Sequence, residues 1–63
     1  MTAFRKGDRA RLVSGDTHLV GHYVANGTTF DVAAKRGDRV LVVDPRRLSL
    51  HCWLRADRLE KVR

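Results

Sequence analysis

The chain has 63 residues, which is enough for one domain over residues 1–63 with a small hydrophobic core. Its 13 Lys and Arg residues outnumber 7 Asp and Glu residues, and the formal net charge of +6 favours a polyanionic partner. The lone cysteine, Cys52, excludes an internal disulfide and a zinc cluster of cysteines, so we expect no metal site and no cofactor.

Hydropathy predicts a soluble protein of the cytoplasm. No stretch of the sequence approaches the ~18 consecutive apolar residues that a membrane span requires. Residues 1–11 lack the apolar run of a signal peptide, and a lone cysteine suits a reducing compartment.

The first half of the chain predicts two strands. Residues 9–13 alternate between polar and apolar side chains, which is typical of a strand with Ala10 and Leu12 facing a core. A turn at 14–17 then precedes a β-prone stretch over 18–24. Asn26-Gly27 follows that stretch, and Asn-Gly is the strongest short signal for a hairpin.

The second half predicts three more strands and a short tail. Residues 28–34 alternate, with Phe30, Val32 and Ala34 on one face. Residues 39–44 contain four consecutive apolar residues, which is typical of a strand covered on both faces. Residues 48–54 alternate again, with Leu48, Leu50, Cys52 and Leu54 on one face. Turns at Gly37-Asp38 and Pro45 separate these strands. The tail predicts one helical turn before a short last strand, and a sheet this small hides its edges best by closing into a barrel.

Motifs at both ends of the chain resemble known folds. Lys6-Gly7-Asp8, a strand ending in Ser14-Gly15, and Gly21 before Val24 resemble the KOW motif of ribosomal proteins and NusG-type transcription factors. The segment 53–62 is similar to the closing strand, helical turn and last strand of SH3-like barrels. The resemblance implies an all-β, five-stranded SH3-like barrel with a short helical turn before the last strand, and nucleic-acid or protein binding.

Candidate phosphate-binding residues are the cations on predicted loops and strand faces, because guanidinium groups donate paired hydrogen bonds to phosphate oxygens. The alternative is that these cations are separately solvated around the barrel. The candidates are Arg5, Lys6, Arg9, Arg11, Lys35, Arg36, Arg46, Arg47 and Arg55.

Trp53 is the candidate stacking group, with Tyr23 as a weaker one. Trp53 has the opposite strand parity from Leu50, Cys52 and Leu54, so it is exposed if those three residues point inward. The alternative is that Trp53 itself caps the core and Cys52 faces outward. Since Tyr23 is the only tyrosine, the tyrosine-rich groove of signalling SH3 domains is not expected.

No catalytic constellation is visible, so the chain is not expected to be an enzyme. His18 and His22, four residues apart in one strand, would be too distant to share a metal ion. Composition and motifs together predict a non-enzymatic nucleic-acid-binding module for DNA or RNA. The alternative is a protein-interaction module that docks on a larger complex or associates with itself through a strand edge.

Overall fold

The structure, a computed structural model, describes residues 3–62. These residues are all-β, as predicted, with seven strands and one short 3-10 turn. The elements are β1 (Arg9–Leu12), β2 (Thr17–Leu19), β3 (His22–Val24), β4 (Thr29–Arg36), β5 (Arg39–Asp44), β6 (Arg47–Arg55), the 3-10 turn (Ala56–Arg58) and β7 (Leu59–Val62).

Five strands form one antiparallel sheet, and the other two form a separate hairpin. The order in the sheet is β6-β5-β4-β1-β7, so the first strand lies between β4 and the last strand. β2 pairs only with β3. Within residues 3–62, β6 and β7 are the two edges of the sheet and do not pair with each other, so the hydrogen-bonded ladder is open.

The prediction of one strand over 18–24 is wrong, because the chain reverses at Val20-Gly21. Both residues have positive φ angles, 51° for Val20 and 78° for Gly21, as a tight two-residue hairpin turn requires. His18 lies opposite Tyr23 and His22 lies opposite Leu19, which places the two histidines on opposite faces of the hairpin. His18 and His22 are therefore kept apart by the faces of a hairpin, and not by their spacing along one extended strand as predicted.

The strands β4 and β6 are longer than predicted, and β4 is irregular. β4 continues to Arg36, and β6 spans Arg47–Arg55. The pairing of β4 with β5 shifts between Val32 and Ala34, as a β-bulge at Ala33 would produce. The shift turns Ala34 to the face opposite Val32, so alternation from Phe30 does not predict the faces of the last residues of β4.

The core lies on one face of the sheet and beneath the β2–β3 hairpin. Phe30, Leu12, Val40 and Val42 are its largest fully buried side chains. The other members are Phe4, Ala10, Leu19, Val24, Val32, Leu50, Leu54 and Leu59. On the outer face, Leu41 and Val43 are only half-buried, so the prediction that β5 is covered on both faces is not met.

The tail matches its prediction of a helical turn followed by a short strand. The backbone N–H of Ala56 donates to the carbonyl of Asp38 at 2.8 Å, which ties the 3-10 turn to the β4–β5 hairpin. The N–H of Val13 donates to the carbonyl of Arg58 at 3.0 Å. In the portion of the chain that the structure describes, no helix is long and apolar enough to cross a membrane.

Candidate functional site

Three arginines lie side by side across three strands on the outer face of the sheet. Arg36 of β4 pairs with Arg39 of β5, and Arg39 pairs in turn with Arg55 of β6. Directly opposite residues in antiparallel strands share a face, with Cα atoms about 4.5–5.5 Å apart. We call Arg36, Arg39 and Arg55 the arginine row.

Trp53 lies on the same face, in the neighbouring row of residues. It pairs with Leu41, and its side chain is 43% exposed, whereas Leu50 and Leu54 of the same strand are buried. The alternative in which Trp53 caps the core is therefore wrong. The guanidinium carbon of Arg36 lies 5.9 Å from the centre of the Trp53 ring, within the range of a cation–π contact.

We call the arginine row together with Trp53 and Leu41 the Trp53 face. An exposed indole next to the Arg36 guanidinium, with Arg39 and Arg55 in the adjoining row, combines a surface on which a planar ring can stack with donors for anionic oxygens. Like charges directly opposite each other destabilise a strand pair, so an arginine row costs stability when no anion is bound.

Two carboxylates approach the arginine row without enclosing it. Asp57 accepts a hydrogen bond from Arg55 at 2.6 Å, and Asp38 lies 4.0 Å from the Nε of Arg39. Both ion pairs are more than half exposed, so solvent screens them and an anionic ligand can compete with them. Among the ion pairs of residues 3–62, none involves Arg36.

An open groove of about 360 Å³ adjoins the Trp53 face at the end of the sheet. Gly37 and Asp38 of the β4–β5 hairpin line one side, and Ala56 and Asp57 of the 3-10 turn line the other. The buried side chain of Leu59 contributes to the lining. Lys35 and Arg55 also line the groove, and Arg55 belongs to the arginine row as well, so the two features are continuous.

The predicted cations of β1 lie three strands away from Trp53, and each has a carboxylate partner on a neighbouring strand. Arg9 lies 3.9 Å from Asp31 on β4 and donates to the hydroxyl of Thr29 at 3.5 Å. Arg11 lies 3.3 Å from Glu60 on β7. These two arginines face the same side of the sheet as Trp53, but β4 and β5 lie between β1 and the strand that carries Trp53.

Arg46 stabilises the turn between β5 and β6. Its backbone N–H and its Nε both donate to one carboxylate oxygen of Asp44, at 2.9 and 3.0 Å, and its guanidinium reaches the carbonyl of Thr29. Burial acts to raise the pKa of Asp44, but the hydrogen bonds from Arg46 outweigh it, and the pKa lies below its ordinary value.

The remaining predicted cations lie apart from the arginine row or at its margin. Arg47 contacts the Nδ1 of His22 at 3.1 Å, which joins β6 to the β2–β3 hairpin. Arg5 and Lys6 are exposed before β1, where the N–H of Arg5 donates to Asp8. Of the predicted residues, Arg36, Arg55 and Trp53 lie in adjoining rows of the outer face. Lys35 pairs with the buried Val40, so it points to the opposite face, and it lines the groove at the end of the sheet.

Arg39 is the member of the arginine row that sequence reasoning missed. A signal for it was present, since a two-residue turn at Gly37-Asp38 places Arg36 directly opposite Arg39. Extending the same pairing to β6 depends on the register of β5 against β6, which no local pattern specifies.

A second polar cluster holds the loops at the other end of the molecule. Asp16 accepts hydrogen bonds from the backbone N–H of Asn26 at 2.7 Å and from the hydroxyl of Tyr23 at 2.6 Å. These bonds hold the pKa of Asp16 below its ordinary value, and the Asp16 bond raises the pKa of Tyr23. Because both carboxylate oxygens of Asp16 accept hydrogen bonds from within the loops, we assign this cluster to loop structure.

The lone thiol and the histidines do not assemble a reactive centre in the part of the chain described. Cys52 pairs with Val42 on the core side of β6, and burial raises the pKa of its thiol. No group of three or more metal-ligating side chains is present within residues 3–62. The outer face, in contrast, brings together an exposed aromatic ring, a row of three arginines and an adjoining groove.

Comparison of the chain with protein-family models, with curated proteins and with solved structures gives no match.

Proposed function

We propose that this protein is a non-enzymatic nucleic-acid-binding module and that nucleic acid binds at the Trp53 face. The observation that carries the proposal is the placement of Arg36, Arg39 and Arg55 in one row beside an exposed Trp53. Guanidinium groups bind phosphate oxygens in pairs, and an aromatic ring stacks on bases, so this combination suits DNA or RNA.

We also propose that the sheet belongs to an SH3-like barrel of the KOW type. The strand order supports this, because β1 and β7, the first and last strands of the chain, pair with each other. The irregular β4 allows the sheet to bend, and the 3-10 turn joins the edge strands β6 and β7. A curled sheet of this kind presents the outer face of β4, β5 and β6 as a convex surface open to a polymer.

The test is the salt dependence of binding to labelled oligonucleotides, measured by fluorescence anisotropy in the wild type and two matched variants. Arg39→Gln removes a charge from the arginine row beside Trp53, and Arg11→Gln removes one from the same side of the sheet but three strands away from Trp53. Both arginines have an exposed carboxylate partner, Asp38 and Glu60 respectively, so the two variants are matched in that respect. Losing one phosphate contact should make the log–log salt slope shallower by about 0.9 on duplex DNA or about 0.7 on a single strand.

We expect Arg39→Gln to reduce the slope by about that amount and Arg11→Gln to leave it close to the wild-type value. Equal effects of the two variants would contradict the assignment of the face, because they would mean that only total charge matters. Binding that is indifferent to salt would contradict phosphate contact altogether.

A second candidate function, protein docking, is favoured by apolar side chains around the contact between His22 and Arg47. Val20, Tyr23 and Leu48 are 58%, 60% and 72% exposed. Val20 precedes His22 at the hairpin turn, and Leu48 follows Arg47 on the edge strand β6. Exposed apolar groups at a sheet edge are typical of protein interfaces.

Capture of proteins from a nuclease-treated extract by the immobilised chain tests this candidate. Leu48→Ser should abolish capture of a docking partner, whereas Arg39→Gln should preserve it. If capture requires nucleic acid, or survives Leu48→Ser unchanged, the docking function is rejected.

A further inference from the structure

The groove beside the Trp53 face has the size and position of a second subsite. Its volume of about 360 Å³ is at the lower end of the range, about 300–1,000 Å³, that small-molecule sites occupy. Ala56 and Leu59 give it apolar lining, and Asp38, Asp57 and Lys35 add polar groups. A planar heterocycle with polar edges matches this combination of walls.

The groove is also fixed in place relative to Trp53. The hydrogen bond from the N–H of Ala56 to the carbonyl of Asp38 holds its two walls together. Arg55 lies next to Trp53 in the chain, belongs to the arginine row and lines the groove. A polymer that contacts Trp53 therefore reaches the groove by passing along Arg55.

We propose that the groove is a nucleobase subsite and that the Trp53 face consequently takes single-stranded nucleic acid, with one base on Trp53 and the next base in the groove. The inference rests on the proposed function and adds the class of ligand to it. Arg55 lies between the two base positions and is placed to contact the phosphate that links them.

A nucleic-acid duplex cannot place one base on Trp53 and the next base in the groove. Its bases are paired and stacked on one another, so neither Trp53 nor the groove can receive a base until the duplex opens. Stacking on an aromatic side chain is available to every base, so we expect the same surface to accept single-stranded DNA and single-stranded RNA.

The first arm of the test compares affinities for a labelled single-stranded DNA, the RNA of the same sequence, and the DNA duplex. The single strands should bind more tightly than the duplex. Trp53→Leu should weaken single-strand binding by about 5- to 150-fold, whereas the matched aromatic variant Trp53→Phe should retain most of it. Duplex binding should be nearly insensitive to both substitutions.

The second arm maps the two subsites by amide chemical shifts in the wild-type protein, which avoids any variant that might not fold. Thymidine monophosphate should shift the amides around Trp53. The dinucleotide pTpT should also shift the amides of Gly37, Asp38, Ala56 and Asp57, and leave those near Asn26 at the other end of the molecule unchanged.

The outcomes separate the inference from the function on which it rests. If the duplex binds as tightly as the single strands, or if pTpT leaves the groove amides unmoved, the subsite is refuted while nucleic-acid binding stands. If none of the three polymers binds, the proposed function itself fails.

Discussion

Val20 is the residue whose replacement most directly tests the energetics of this fold. It is the only non-glycine residue with a positive φ within residues 3–62, and its φ of 51° lies in the left-handed region. A β-branched side chain is poorly suited to that region, where the conformation costs an L-residue roughly 1–2 kcal/mol. Asparagine tolerates it, and Asn-Gly is the preferred sequence of such a turn.

The substitution Val20→Asn should therefore stabilise the protein. Complete burial of a valine side chain contributes roughly 1.5 kcal/mol. Because Val20 is already 58% exposed, replacing its side chain loses at most about 0.7 kcal/mol of that contribution. Subtracting this loss from the roughly 1–2 kcal/mol of strain leaves a net gain of about 0.3–1.3 kcal/mol. In a domain of this size each kcal/mol moves Tm by about 4–8 °C, so the expected increase is about 1–10 °C.

Thermal unfolding followed by circular dichroism measures this change, with Val13→Asn as the matched control. Val13 is 43% exposed and has an ordinary φ, so its replacement loses apolar burial without relieving a strained turn. We expect Val13→Asn to leave Tm unchanged or lower it. A Tm for Val20→Asn that is no higher than that of Val13→Asn would refute the strain argument.

Three further predictions concern titratable groups. Because the pKa of Asp44 is lowered, its stabilisation is present above its ordinary pKa of about 3.9 and is lost as pH falls through the folded value. Asp44→Asn should then cost about 1–2 kcal/mol at neutral pH and flatten the acid side of a plot of Tm against pH. The raised pKa of Tyr23 reverses the sign, so its stabilisation is present below about pH 10 and is lost as pH rises, and Tyr23→Phe should remove that alkaline loss. An unchanged acid or alkaline branch in the respective variant would count against the corresponding hydrogen bond. Burial raises the pKa of the Cys52 thiol, so iodoacetamide should alkylate it more slowly at pH 8 in native protein than in denatured protein, as mass spectrometry would show, and equal rates would contradict that burial.

Local alternation was sufficient to predict most of the main sheet. Phe30 and Val32 on β4, Val40 and Val42 on β5, and Leu50 and Leu54 on β6 all face the core, as the period of two requires. Leu48, which the same alternation placed beside Leu50, is instead 72% exposed near the start of the edge strand β6. The same alternation predicted that Trp53 points away from the core, and Trp53 lies on the outer face. The hairpin at Val20-Gly21 was missed because valine is a poor turn residue and strands of three residues carry almost no periodic signal.

The candidate site was only partly predictable, because it depends on which strands meet and in what register. Arg36 and Arg55 were candidates along with seven other cations, and nothing in the sequence distinguished them from Arg9 or Arg11. The cross-strand pairing supplied the difference. It placed Arg36, Arg39 and Arg55 in one row beside Trp53, and it placed Arg9 and Arg11 on β1, three strands away from Trp53.

The sequence by itself determined the all-β class, the inward and outward faces of the long strands and the excess of positive charge, since all three follow from residue types and their spacing along the chain. Only the tertiary structure decided that Arg36, Arg39 and Arg55 form one row and that a groove opens beside Arg55. The physical reason is that register is a non-local property. A shift of one residue in the register of β5 against β6 would move Trp53 to the opposite face, and Arg55 would no longer lie opposite Arg39.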